Sequence, residues 1–117
     1  SQVALAKQGQ VLNLLDHVRL QVPVIVFDPS DMRQVAMVKR WLAQPEMQQA
    51  DLFVVGGSQP MAEAKTPVTV SLANSFSRPV YPWLSKLSER MGVEAVPAIV
   101  EQEGSRLRVR YFNPENR

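Results

Sequence analysis

Cysteine is absent from all 117 residues of the sequence. Disulfide bonds, thiol nucleophiles and thiolate metal sites are therefore excluded for this chain. Histidine is almost absent as well: His17 stands alone beside Asp16, and a metal site needs further ligands that this stretch lacks. We therefore expect no metal and no other cofactor, and we interpret His17 as a solvated or locally bonded side chain.

Long apolar runs and a strong charge imbalance are also missing. The longest apolar stretch, 22–27, has the length of a strand and is much shorter than the roughly 20 residues of a membrane-spanning helix. The 13 Lys and Arg residues only slightly exceed the 11 Asp and Glu residues. Nucleic-acid binders concentrate their basic residues in a patch. We therefore expect neither a membrane span nor a nucleic-acid partner.

The composition is that of an ordinary globular domain, with 45% hydrophobic and 21% charged residues. We interpret residues 21–117 as one domain and residues 1–20 as an arm attached to it. Because the chain starts with Ser1 rather than methionine, we expect a processed or truncated product, and the N-terminus does not reveal the compartment.

A strand followed by a helix is predicted after Pro23. The apolar run Val24 to Phe27 is typical of a buried, central strand. In the sequence Asp28-Pro29-Ser30-Asp31 that follows, Asp28 is the expected N-cap, Pro29 the first helical residue and Asp31 a first-turn acid. The helix should run to about Gln44, with Arg33, Lys39 and Arg40 facing outward. Its predicted core stripe is Met32, Val35, Ala36, Val38, Trp41 and Leu42.

A second apolar strand at 52–55 completes a right-handed, parallel βαβ unit. Prolines and small polar residues predict a loop at 59–79, with a helical turn at 60–65 and a short extended piece at 68–70. A second helix is expected from Tyr81 or Pro82 to Met91. It should end at Gly92, because glycine adopts the left-handed turn that closes a helix without Cβ strain.

The C-terminal part predicts a β-hairpin that begins at a proline. Pro97 has no N–H to give to a sheet, so it is tolerated at the first position of a strand. Strands at 98–101 and 106–112 flank residues 102–105, and with either a two-residue or a four-residue turn Glu101 is expected to face Arg106.

The predicted order is β-α-β, loop, α, β-β, which resembles a thioredoxin-like domain. The expected fold class is therefore α/β, a mixed sheet with flanking helices that lacks the final helix and the Cys-x-x-Cys motif. The equivalent proline of that fold is cis, so the resemblance favours a cis peptide bond between Val96 and Pro97, and a trans strand start is the alternative. A cis bond would leave the Val96 backbone available to pair with an extended peptide.

Two acids follow the first strand, at the edge where open α/β sheets place their ligands. The stretch from Val24 to Asp31 is similar to the strand and Asp-x-Asp start of haloacid dehalogenase-type phosphatases. However, Asp28 and Asp31 are three residues apart, so the second acid would not lie beside the first as a proton donor. We interpret both as helix-start residues, and a small hydrolase or phosphatase using them is the alternative.

Two further patterns are weaker. Gly56-Gly57-Ser58 follows a strand, but neither a clear helix nor a lysine comes after it, so it is a poor phosphate-loop signal. Arg106, Arg108 and Arg110 alternate and should share one face of the last strand. That face could contact phosphates or an acidic partner, but it has no interleaved aromatic residue for base stacking. We interpret it as a charged surface that keeps an exposed strand soluble.

Several short motifs follow one another along the chain in a recognisable order. They are Gly9-x-x-x-Asn13-x-Leu15, the strand into Asp28-Pro29, Gln34-Val35-x-x-x-Lys39, Val54-Val55-Gly56-Gly57-Ser58 and Met91-Gly92-Val93-x-x-Val96-Pro97-Ala98. Their order and spacing resemble the TraW family of F-type conjugative transfer systems, periplasmic proteins of pilus assembly by type IV secretion. Leu14 departs from the family, which tends to have proline there, and the family's N-terminal segment has no counterpart in this sequence.

This resemblance implies a non-catalytic periplasmic scaffold that binds TrbC-like and other conjugative transfer proteins and takes no small-molecule substrate. The rival family is TrbC itself, a partner in the same systems that also resembles a thioredoxin-like fold with a Val-Pro strand start. The Asn13 region and the helix start at Gln34 favour TraW. The partner-binding residues expected from the fold are Val96, Pro97, Asp28, Pro29 and Asp31.

Overall fold

The computed structural model describes residues 19–56 and 68–115. Nearly all of the predicted arm, including His17, lies outside these residues, as do the predicted turn at 60–65 and the pair Gly57-Ser58. The described elements, in chain order, are β1 Val24–Phe27, α1 Met32–Leu42, a 3-10 turn Pro45–Met47, β2 Asp51–Val54, α2 Val68–Phe76, β3 Val80–Pro82, α3 Ser85–Met91, β4 Ala98–Glu103 and β5 Arg106–Tyr111.

The strands form one mixed sheet in the order β3-β2-β1-β4-β5. β1, β2 and β3 are parallel, whereas β4 runs antiparallel to β1 and β5 antiparallel to β4. The architecture is α/β and compatible with a thioredoxin-like fold, as the sequence predicted. The prediction missed β3, a short parallel strand at the outer edge of β2.

Helices cover both faces of the sheet, and β1 is fully buried at its centre. Because alternate residues of a strand point to opposite faces, β1 contributes side chains to the core on each side. The face covered by α1 and α2 holds one core cluster, and the face covered by α3 holds another. The first cluster includes Ile25, Phe27, Val35, Val38, Leu52, Val54 and Ile99. The second includes Val24, Val26, Trp83, Met91, Val93, Ala98 and Val100.

Helix α1 begins later than predicted, and its N-cap is Asp31 rather than Asp28. The Asp31 carboxylate accepts the backbone N–H of Arg33. Asp28 instead opens a turn in which its carbonyl accepts the Asp31 N–H at 3.1 Å, with Pro29 at the second position. Pro29 therefore lies in the turn before the helix and is not the first helical residue.

The buried side of α1 also differs from the predicted stripe. Val35 and Val38 are buried as expected, but Met32 is 72% exposed and Ala36 lies on the surface. Gln34 and Met37 are buried in their place. Hydrophobic periodicity does not distinguish Met32 from Met37. It also does not predict the burial of Gln34, a polar residue whose side chain forms hydrogen bonds with the loop just before the helix.

The prediction of an extended piece at 68–70 within a loop is wrong, because these residues begin helix α2. Their β-branched side chains favour a strand. Leu72, Ala73 and Phe76 recur at helical spacing and pack against the first core cluster. Phe76 meets Phe27 edge to face at 5.8 Å between ring centroids. Tertiary packing thus overrides the local propensity.

The predicted start of the next helix at Tyr81 or Pro82 is also wrong. These residues belong to β3, where Tyr81 pairs with Phe53 and Pro82 with Val54. A proline is tolerated there because β3 is an edge strand. Helix α3 begins at Ser85, and it ends as predicted at Gly92, which has a φ of 72°.

The β4–β5 hairpin has a two-residue turn, but its register differs from the predicted one. Glu103 pairs with Arg106 across the two-residue turn Gly104-Ser105, and Gly104 has a φ of 62°. Glu101 consequently faces Arg108, not Arg106. Beyond β5 the described chain, which ends at residue 115, forms no further helix. In the two described ranges, no helix has the length and apolar character needed to cross a membrane.

Candidate functional site

The carboxyl end of β1 and the start of β4 lie side by side. Val26 pairs with Ala98 in the antiparallel ladder between these strands. Continuing that register places Pro97 opposite Phe27 and Val96 opposite Asp28. The fold therefore brings the acidic loop, residues 28–31, and the Val96-Pro97 pair together at the end of the sheet where β1 stops and β4 starts, as predicted.

The Val96-Pro97 peptide bond is cis, which confirms the expectation drawn from the thioredoxin-like order. Pro97 is fully buried, and its carbonyl accepts the Phe112 N–H at 3.2 Å. The proline is thus fixed between β1 and the end of β5. Val96, one residue earlier, is half-buried at the rim.

The backbone of Val96 has no hydrogen-bond partner in residues 19–56 and 68–115. Backbone groups of this kind pair with an added strand in β-augmentation. Beside Val96 lies a cleft of about 230 Å³, which provides space for a side chain of such a strand. The cleft is lined by Val55, Trp83, Ser88, Val93, Glu94, Ala95 and Val96.

Aromatic packing shapes the cleft. The Trp83 indole N–H donates to the Ser88 hydroxyl at 2.6 Å, which connects Trp83, two residues before α3, to the helix itself. The Phe53 ring meets Trp83 edge to face at 5.4 Å and lies 5.4 Å from the Tyr81 ring. The cleft therefore has a fixed apolar wall, with Glu94 as its one charged lining residue among those described.

The acidic loop is held by its own hydrogen bonds. Asp28 Oδ1 accepts both the backbone N–H of Ser30 at 2.9 Å and its hydroxyl at 2.7 Å. This is the arrangement in which an aspartate replaces a backbone turn two residues on. The carboxylate of Asp28 thus has a structural role in the loop that contains Pro29.

Both carboxylate oxygens of Asp31 accept hydrogen bonds. Arg33 donates through Nε at 3.1 Å to Oδ1 and through Nη2 at 3.0 Å to Oδ2, in a bidentate pair. The hydrogen bond from the Arg33 side chain is the main cause that lowers the pKa of Asp31 to about 2. Arg33 also forms an ion pair with Glu115. A carboxyl with so low a pKa is ionised at neutral pH and cannot serve as a proton donor.

Gln34 is a site residue that sequence periodicity missed. It is only 7% exposed. Its Oε1 accepts the Asp28 N–H at 2.8 Å, and its Nε2 donates to Asp31 Oδ2 at 3.3 Å. Its position three residues after an N-cap aspartate is that of a capping box, which was the available sequence signal.

Tyr111 is a second residue that the sequence did not assign to the site. Its hydroxyl accepts the Glu94 N–H at 3.0 Å and donates to the Gly92 carbonyl at 3.1 Å. The last strand thereby holds the segment that leads from α3 to Val96. No local pattern connects residues so far apart in the chain.

The three arginines of β5 share one face, as predicted, because Leu107 and Val109 pack against the second core cluster on the other face. Two of them are paired with glutamates of β4. Arg110 meets Glu101 at 3.0 Å and Arg108 meets Glu103 at 3.7 Å. Arg106, at the hairpin, is exposed. The face is therefore a largely neutralised surface.

Across the described ranges, no group of three or more histidine, cysteine or acidic residues is placed to hold a metal ion. Gly56 has a φ of 67°, while the rest of the glycine-serine motif lies outside the described residues. Comparison with known proteins finds no matching family model, no matching curated protein and no matching solved structure. The similarity to TraW-type proteins therefore rests on the sequence motifs alone.

Proposed function

We propose that this chain is a non-catalytic periplasmic scaffold of conjugative type IV secretion that assists pilus assembly and DNA transfer through protein–protein contacts. The observation that carries the interaction role is the backbone of Val96, which has no hydrogen-bond partner among residues 19–56 and 68–115 and lies beside a cysteine-free acidic loop. The TraW-like order of motifs supports the conjugative system and, with it, the periplasm.

In the proposed complex, an extended segment of a TrbC-like partner pairs with the backbone of Val96. One of its apolar side chains enters the cleft beside Trp83 and Val55. Main-chain hydrogen bonds would supply affinity and the cleft would supply specificity, as in other cases of strand addition. Tyr111 keeps the segment before Val96 in position for this pairing.

A non-catalytic role is supported by the chemistry of the two acids. Asp28 accepts two hydrogen bonds from Ser30, and Asp31 is tied to Arg33 with a pKa of about 2. A phosphatase of the kind considered above needs a second acid that carries a proton near neutral pH. Asp31 does not offer that proton.

The test is co-purification of the full-length protein with a TrbC-like partner from cells that carry a conjugative plasmid. Ala95→Arg places a bulky charge in the cleft from an exposed position, so it should abolish association without unfolding the chain. Ala43→Arg, at the exposed C-cap of α1, is the matched control and should leave association intact. No association of the unmodified protein, together with unaffected DNA transfer after gene deletion, would refute the proposal.

Asp28→Asn separates this proposal from the hydrolase alternative. Asparagine retains the side-chain oxygen that accepts from Ser30 but is a poor nucleophile. We expect no phosphatase activity in either form of the protein. A phosphatase activity that disappears in Asp28→Asn with an unchanged melting temperature would favour the hydrolase.

If the chain is instead the TrbC-like member of the pair, it should co-purify with a TraW-like protein.

A further inference from the structure

A groove separate from the Val96 cleft runs between helix α1 and the segment that follows β5. Trp41 packs on the first core cluster, whereas the Val96 cleft adjoins the second, so the two lie on opposite faces of the sheet. The groove has two adjoining sections of about 400 and 500 Å³ that share Arg40. Its described lining includes Arg40, Trp41, Tyr111, Phe112 and Asn113 in the first section, and Arg33 and Pro114 in the second.

Contacts at both ends fix the walls of this groove. At one end the Trp41 and Phe112 rings meet with centroids 4.7 Å apart. At the other end Arg33 of α1 forms an ion pair with Glu115. Between them, Asn113 Oδ1 accepts the Glu115 N–H at 2.9 Å and turns the segment back toward the helix. The groove is therefore preformed, which lowers the entropic cost of binding a ligand.

The charge of the groove is positive. Arg40 is exposed, and none of the residues in 19–56 and 68–115 forms an ion pair or hydrogen bond with its side chain. Arg110 stands 5.5 Å from the centre of the Phe112 ring, behind the aromatic floor. None of the described lining residues is acidic. A cation with no counter-ion in the described part of the chain thus lies next to a partly exposed aromatic pair.

We propose that this groove binds an acidic peptide segment of a partner protein. A carboxylate of the segment pairs with Arg40, and an apolar side chain beside it packs on Trp41 and Phe112. A single inorganic anion would leave the aromatic floor unused. A nucleic acid needs several free cations for its phosphates, and Arg40 is the one unpaired cation among the described lining residues.

The experiment uses a synthetic peptide with one central phenylalanine flanked by glutamates. In a Trp83→Phe variant, Trp41 is the remaining one of the two tryptophans and reports binding by fluorescence. We expect a saturable change that weakens with added salt, because an exposed charge pair is screened. NMR of the unmodified chain, followed at the Trp41 indole N–H, provides the same readout without the substitution.

Two charge reversals test the assignment. Arg40→Glu should weaken binding by about tenfold or more, since attraction becomes repulsion at the same site. Arg106→Glu, an equally exposed arginine at the far end of β5, should leave binding unchanged. Peptides with lysine in place of glutamate, or alanine in place of phenylalanine, should bind more weakly.

The proposal is overturned if neither readout changes on adding the peptide at millimolar concentration, or if Arg40→Glu and Arg106→Glu weaken binding equally. Equal binding of inorganic phosphate would show an anion site only. Ala95→Arg, which closes the Val96 cleft, should not affect the peptide. The result is therefore independent of the proposed TrbC-like contact.

Discussion

The side-chain oxygen of Gln34 accepts the backbone N–H of Asp28 at 2.8 Å, across a separation of six residues. This bond connects the buried side of α1 to the end of the central strand. Together with the bond from Gln34 Nε2 to Asp31, it holds both acids of the loop in one arrangement. The buried Gln34 side chain therefore holds the loop in position, in addition to the hydrogen bonds within the loop's own turn.

Replacing Gln34 by leucine should destabilise the protein by roughly 1–3 kcal/mol, because the Asp28 N–H loses its acceptor in a partly buried site. Chemical denaturation of both proteins measures the difference. Gln48→Leu, at an exposed position, is the control and should change stability by less than about 0.5 kcal/mol. Equal stabilities of the Gln34 variant and the unmodified protein would show that solvent satisfies the Asp28 N–H.

The Asp31–Arg33 pair predicts an acid-dependent loss of stability. The pKa of Asp31 is about 2 in the folded protein, below its ordinary value of 3.8, mainly because Arg33 donates to the carboxylate. Its contribution to stability is therefore present above pH 3.8 and is lost as the pH falls toward 2. The stability difference between the unmodified protein and Asp31→Asn should shrink over this range.

NMR titration of the Asp31 carboxyl measures its pKa directly. In Arg33→Gln the main cause of the shift is removed, so the pKa should move back toward the ordinary value. A pKa that stays near 2 in Arg33→Gln would assign the shift to the backbone N–H and to Gln34 instead.

Tyr111→Phe should destabilise the protein by about 0.5–1.5 kcal/mol, because the hydroxyl bonds to Gly92 and Glu94 are lost. Amide hydrogen exchange at Glu94 should become faster, since its N–H loses its acceptor. Tyr81→Phe is the matched control, because among the described residues its hydroxyl has no hydrogen-bond partner. Unchanged exchange at Glu94 would contradict the holding role of Tyr111.

The paired arginines predict weak contact with nucleic acid. Arg108 and Arg110 are already neutralised by Glu103 and Glu101, so DNA binding should be weak at physiological salt. Fluorescence anisotropy with labelled DNA over a salt series measures it. Replacing both glutamates by glutamine should strengthen binding, because it frees the two arginines. Strong, steeply salt-dependent binding by the unmodified protein would reverse our interpretation of this face.

Short stretches of sequence were sufficient to predict the elements whose position depends only on neighbouring residues. The continuous apolar run of β1, the left-handed turn at Gly92 and the proline before β4 were all predicted where the structure has them. Helix α2 was not predicted, because its first residues favour a strand, whereas the residues that pack against the Phe27 side of the core, Leu72, Ala73 and Phe76, come later in the helix. Pro82 was misassigned for a related reason, since its place in β3 depends on pairing with β2.

For this protein, the sequence by itself determined the absence of thiol chemistry, the α/β order of elements and the presence of two acids directly after the first strand. These follow from composition and from short-range periodicity. Tertiary structure decided which acid caps α1, which side chains hold the site and where the Arg40 groove lies. Such features depend on register and on contacts between residues far apart in the chain, as between Tyr111 and Gly92, and no local pattern encodes those distances.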